Sequence, residues 1–329
     1  MTPWPPGAAT GVGSLPGTDI DEALRIVFGE LPDLPHLPEL PGRGAGADMI
    51  GRGATFLPEL PVEIQPSGWR LTSRPGRDLR RARDFLERDL DALEAAAEGY
   101  AGTLKVQLVG PWTLAAGVEL HSGHRVVSDH GATRELAQSL TEGLRAHLAD
   151  VARRVPAATI VTQLDEPSIP AVLGGQVPTP SGYGTVRAVE ASVVEQTLSD
   201  VLTVVPVGRR VVHCCAADVP ITLLRGAGAD AISLDASHPP PNDTVGETLE
   251  AGASLWLGVV PGTDATISLD TAREPVRRLW RELGFADGQL ATSVVPTPAC
   301  GLAGASPAYA RRALSIVRDA GRSLVDLQA

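Results

Sequence analysis

Lysine is almost missing from this chain: of 28 basic residues among 329, Lys105 is the one lysine and the rest are arginine. The dominance of arginine, alongside abundant Ala, Gly, Pro and Val, reads as coding bias and not as phosphate recognition. Only three cysteines are present, which excludes a disulfide framework and points to metal binding or catalysis as their use. Positive charge is in deficit, since 39 acidic residues leave a formal net charge of −11, and that excludes nucleic acid as the main partner. No apolar run approaches the ~18–20 residues of a membrane span, and the opening Met1-Thr2-Pro3-Trp4-Pro5-Pro6 lacks the basic segment and apolar core of a signal peptide. These absences lead to the expectation of a cytoplasmic protein with no membrane partner.

With 43% hydrophobic and 20% charged residues, the chain has enough apolar material for a sizeable core. Its length suits one large α/β barrel or two ordinary domains. Eight short β-rich segments occur: 8–15, 36–40, 103–109, 158–164, 209–215, 231–235, 254–260 and 290–296. Amphipathic stretches separate them at 19–30, 78–100, 133–154, 185–204, 218–225, 270–283 and 306–324, with Asp19, Thr133, Asp218, Asp270 and Ser306 placed as N-caps. Eight βα units predict an α/β fold of the (β/α)8 TIM-barrel type, a single domain over residues 1–329. Residues 41–75, rich in Gly and Pro, read as a long loop after the second strand, over the barrel mouth. A doubly wound sheet is the alternative, but no GxGxxG follows the first strand.

In a barrel the C-terminal strand ends share one face, and that face carries the chemistry. Here those ends supply Gly13-Ser14, Pro38-Glu39, Gly110-Pro111, Asp165-Glu166-Pro167, His213-Cys214-Cys215, Asp235-Ala236-Ser237, Pro261 to Asp264 and Cys300-Gly301. The period of two in a strand puts His213 and Cys215 on one face and Cys214 on the other. A thiolate from the distant Cys300 would complete most of a tetrahedral Zn²⁺ site and leave a position open for substrate. Taken singly, each element has a plainer reading: His-x-Cys as a packed core pair, Asp165 and Asp235 as caps, Gly13-Ser14 as a turn, Glu39 as a solvated loop charge. His121, His124 and His130 lie in an irregular polar segment and read as a solvated loop, as does His238, while Cys214 reads as core.

The ordered set is more specific than its parts. Gly-Ser-Leu-Pro at 13–16, Asp-Met-Ile at 48–50, Gln-Leu-Asp-Glu-Pro at 163–167, His-x-Cys at 213–215, Leu-Asp-x-Ser at 234–237 and Ala-Cys-Gly-Leu at 299–302 resemble the C-terminal catalytic barrel of cobalamin-independent methionine synthase. The resemblance spans nearly the whole chain in the right order. It implies a zinc-dependent methyltransferase that moves a methyl group onto the thiol of homocysteine to give methionine.

By that resemblance His213, Cys215 and Cys300 are zinc ligands, and Asp235 occupies the place of a glutamate ligand. Asp165 takes the substrate ammonium, Ser14 with neighbouring amides meets the substrate carboxylate, and Glu39 is a looser match to the family's second substrate carboxylate. Three departures stand out. Asp235 is one methylene shorter than the usual ligand. The segment 260–264 holds no histidine where the long form has a proton shuttle. The long form's N-terminal barrel, which helps to hold the folate, has no counterpart. The methyl donor therefore stays open among methyltetrahydrofolate, a methylcobalamin protein and a small methylated thioether. Two other classes also stay open: a corrinoid-dependent coenzyme M type of zinc thiol methyltransferase, and a metal-free barrel similar to uroporphyrinogen decarboxylase.

Overall fold

Segments rich in Val, Ile and Leu alternate along the chain with amphipathic ones, and the computed structural model, which describes residues 2–326, folds them into a curled parallel sheet backed by helices. In chain order the strands are β1 (Val62–Gln65), β2 (Gly68–Leu71), β3 (Thr103–Val109), β4 (Val118–Glu119), β5 (Thr159–Asp165), β6 (Arg210–Cys214), β7 (Ala231–Asp235), β8 (Ser254–Val260) and β9 (Val294–Pro298). Six of them form one sheet in the order β3-β5-β6-β7-β8-β9, all parallel. Parallel neighbours need crossovers, and helices supply each one.

Alternation along these strands builds the layers that position the site. On the inner face Val161, Val211, Ala231, Trp256 and Val295 form an apolar floor with Ala8 and Leu34, closed by Trp4 edge-on to Trp256 at 5.2 Å. Two residues further along the strands, the same face turns polar with Gln163, His213, Ser233 and Thr297, all buried. The intervening residues, among them Leu164, Val212, Cys214, Ile232, Leu234, Leu255 and Leu257, pack outward in the main core. Each such fully buried aliphatic side chain contributes ~1.5–3 kcal/mol. Cys214 is thus core.

Helix starts follow side-chain capping. Asp19 accepts from the N–H groups of Asp21 and Glu22 ahead of the helix Ile20–Glu30, and Ser306 from that of Tyr309. Elsewhere the caps lie upstream of the expected residues: Asp129, not Thr133, caps His130–Arg154, and Ser268, not Asp270, caps Leu269–Leu283. Asp218 caps nothing; it sits in a left-handed turn at φ 57° before Ile221–Gly226.

The expected first two strands appear as isolated bridges instead of ladders. Thr10 N–H donates to Pro296 O (3.3 Å), Leu15 to Glu39 (2.9 Å), Glu39 to Gly13 (3.2 Å) and Leu37 to Lys105 (3.0 Å). Pro35 and Pro38 have no N–H to give, so a continuous ladder cannot form. Residues 41–75 are more structured than a loop. They hold the helix Met49–Gly53 and the antiparallel pair β1-β2, which joins β4 in a small three-stranded sheet. Residues 290–293 are helical, so the last strand begins at Val294, and a helix at Asn242–Glu250 joins the set read from the sequence. Among the described residues no helix is long and apolar enough to cross a membrane.

Candidate metal centre

His213 is the penultimate residue of β6 and Cys215 follows its end, while Cys300 stands in the turn after β9, two strands beyond β7 in the sheet. The curl of the sheet brings the three together: their ligand atoms lie within 4.8 Å of one another, and the two sulfurs are 3.3 Å apart. Among the described residues this is the one such group.

Register explains how the histidine is aimed. Ser233 is the Cα partner of His213 across β6-β7, and its Oγ lies 2.8 Å from His213 Nδ1. With Nδ1–H donating to that hydroxyl, Nε2 keeps its lone pair. Nε2 is buried and has no hydrogen-bond partner. Such an atom asks for an acceptor of its lone pair, and a metal ion beside two sulfurs is one. The donor set of one imidazole and two thiols suits zinc in particular.

The sulfurs behave as one titrating unit. Hydrogen bonding from Cys215, with the nearby His213, holds the Cys300 thiol down to about 4, and the same pairing raises Cys215. One thiolate is therefore available at neutral pH.

The remaining expected residues gather around this group to different degrees. Asp165, the last residue of β5, is in register with His213. Burial pushes its carboxyl up to about 7, against the pull of His213 and with Glu39 adding to the rise. Glu39 reaches Asp165 through side chains: Gln107 Nε2 donates to Glu39 Oε1 (3.1 Å) and Gln163 Nε2 to Asp165 Oδ1 (2.6 Å). Ser14 is bridged to Glu39 and touches the Cys300 turn, where Leu302 N–H donates to Ser14 O (2.8 Å). Any side chain at Gly301 would overlap Ser14 Oγ. Asp235 ends β7 and shares with Cys300, Gly301, Ser237 and Thr263 the wall of a cavity of about 640 Å³. It lies outside the His/Cys/Cys group, and its Oδ1 accepts from Ser237 N–H at 2.8 Å.

Several buried polar residues around the group were given no role from the sequence: Ser233, Lys105, Gln107, Gln163 and Glu166. The buried Glu166 carboxylate accepts from Trp112 N (2.9 Å), Thr113 N (2.8 Å) and Thr113 Oγ (2.7 Å), anchoring the helix Pro111–Gly117 beside the mouth. The signal for most of them was polar residues at alternate positions of otherwise apolar strands, as in Lys105-Val106-Gln107 and Gln163-Leu164-Asp165.

Comparison with solved structures places the fold. A B12-independent methionine synthase from Shewanella sp. W3-18-1, in complex with selenomethionine, superposes with TM-score 0.63 at 14% identity over 98% of each chain. A methyltransferase from Methanosarcina mazei gives 0.51 at 17% identity over 97% of this chain and 94% of that one. No curated protein matches the sequence. A profile of the cobalamin-independent synthase catalytic domain matches residues 93–323, the stretch that contains Asp165, His213, Cys215, Asp235 and Cys300, and the chain belongs to that family.

Proposed function

We propose that this methyltransferase moves a methyl group onto the thiol of homocysteine at a zinc ion held by His213 Nε2, Cys215 Sγ and Cys300 Sγ. The observation that carries the reading is the convergence of those three ligand atoms beside a buried pair of carboxylates. When bound, zinc supplies Lewis acidity that favours the thiolate form of an acceptor at neutral pH. Asp235 is assigned as a fourth ligand, joining from the adjacent strand end. We infer that segments 10–15 and 36–39, bridged to each other and bonded to β9 and β3, serve as the first two strands of a (β/α)8 barrel of one domain, with this mouth at its C-terminal face.

The protein's own groups select and orient the acceptor. Asp165 and Glu39 accept hydrogen bonds from the substrate ammonium, as charge-assisted bonds in a water-poor layer. Ser14 Oγ–H and neighbouring backbone amides meet the substrate carboxylate on the Cys300 side. So held, the sulfur attacks the methyl carbon; the S–C bond forms as the donor–methyl bond breaks, and the electron pair leaves with the donor. The donor is methyltetrahydrofolate or a methylcobalamin protein. The selenomethionine bound to the Shewanella protein fits an amino-acid occupant of this kind.

Two observations weigh against the other classes. A coenzyme M type acceptor would set its sulfonate against Asp165 and Glu39, and a metal-free barrel would leave His213 Nε2 buried without a partner.

The test joins metal analysis to an assay of homocysteine methylation with each donor. The purified protein is expected to hold about one zinc per chain, as a single tetrahedral cluster supplies. Cys215→Ser and Cys300→Ser lose the metal, while Cys214→Ser, altering a core residue, retains it. Full zinc retention in Cys300→Ser would sink the site as drawn.

A further inference from the structure

The single lysine of this chain is wholly buried on the inner face of β3. Lys105 is in register with Val161 of the apolar floor, and Gln107 with Gln163 one layer above, so the long lysine stem rises from the floor into the polar layer. Its Nζ donates to Val12 O (2.7 Å), Gln163 Oε1 (2.9 Å) and Gln107 Oε1 (3.1 Å). All three ammonium hydrogens are used.

An ammonium has donors only, so both glutamines must turn their oxygens toward it. Their NH₂ groups then face away. Gln107 Nε2 gives one hydrogen to Leu37 O (2.7 Å) and the other to Glu39 Oε1, and Gln163 Nε2 gives one to Val12 O (2.9 Å) and the other to Asp165 Oδ1. Each amide is locked at both ends. A neutral residue at 105 would leave both amide oxygens buried without the donor that holds them.

We infer that Lys105 is the positioning residue of the acceptor site: through Gln107 and Gln163 it aims Glu39 and Asp165 as a pincer for the ammonium of an amino-acid thiol. The inference rests on the amino-acid acceptor proposed above and adds how that class is selected. Charge supports it. Glu39 and Asp165 are buried carboxylates with which a substrate ammonium would pair, beside the cations Lys105 and Arg52, the latter 3.7 Å from Glu39.

The test compares homocysteine with 4-mercaptobutyrate, the same thiol lacking the amino group, by calorimetric binding to the zinc-loaded protein. Wild type is expected to prefer homocysteine; equal affinities would overturn the amino-acid acceptor itself. Lys105→Met is expected to weaken homocysteine binding roughly tenfold or more, as loss of a hydrogen bond to a charged group does, while 4-mercaptobutyrate changes little and KM rises more than kcat falls. A folded Lys105→Met that keeps the wild-type preference overturns the lysine's role and leaves the acceptor reading standing. Should that variant not fold, Gln107→Met and Gln163→Met cut the relay with the lysine in place; each should lose homocysteine selectively, and equal losses for both thiols would overturn the inference.

Discussion

Asp235 is one methylene short of a glutamate, and at a metal that methylene decides a great deal. Zinc–oxygen bonds near ~2.0–2.2 Å tolerate little error in reach. In this structure one oxygen of Asp235 is tied to its own turn through Ser237 N–H, and the residue lines the cavity that Cys300 also lines. If it closes on the ion as the fourth ligand, Asp235→Glu restores the longer reach, so zinc should bind more tightly with thiol affinity retained. Zinc affinity unchanged with thiol affinity reduced would mean that the longer side chain merely intrudes on the open position, leaving His213, Cys215 and Cys300 as the whole ligand set. Metal and thiol titrations of the one variant separate the two. That His213 and Cys215 face the same way was legible in the sequence from strand alternation alone, and Cys300 joined them through the ordered set of motifs; the structure brings the three together. Ser233 and Lys105 were not, since what each touches depends on the register between strands, which no single segment encodes.

Among elements, the parallel strands were readable because each is five to seven residues of apolar sequence with polar residues inserted at alternate positions. β1 and β2 are four residues each and sit among prolines and glycines, too short for a period to emerge. Close packing between elements is equally invisible in composition, and Gly143 illustrates it. It lies inside the 25-residue helix His130–Arg154, where glycine costs up to ~1 kcal/mol relative to alanine. Yet a Cβ there would run into the carbonyl of Phe56, a backbone group that cannot rotate away. The helix thus crosses directly over the turn Ala54–Phe56, which follows the segment carrying Arg52, a neighbour of Glu39 at 3.7 Å. Gly143→Ala, ordinarily stabilising in a helix, should here cost ~1–3 kcal/mol through overpacking, read as a lower denaturant midpoint. A raised midpoint would show that the two elements can part without penalty.

At the scale of the whole molecule, buried titratable groups of opposite kind offset one another. Burial pushes Asp165 and Glu166 up to about 7, so between their ordinary range and neutrality the folded state binds protons that the unfolded state releases. Histidines work the other way. Burial, reinforced by the Lys105 charge, keeps His36 well below its usual value, and burial reinforced by Arg52, against Asp150, takes His147 down to about 3. These two stay neutral when folded and gain a proton only on unfolding, so their contribution is complete above about 6.5 and is lost as the pH falls, at ~1.4 kcal/mol per pH unit for each. Carboxyls and histidines therefore impose opposite slopes over much the same window, and the intact protein should show a shallow stability profile from neutral pH toward pH 5. Removing one histidine unbalances it. His147 is packed at 4.8 Å from the Phe56 ring and is not part of the His213, Cys215 and Cys300 group, so His147→Leu keeps a comparable volume without a titrating group. Denaturant unfolding at pH 7.5 and pH 5.0 should show the variant gaining on wild type as the pH is lowered, by roughly 2 kcal/mol over the span below 6.5. An identical difference between the two proteins at both pH values would mean that His147 takes up its proton in the folded state, and that the core there is far more open to water than its packing indicates.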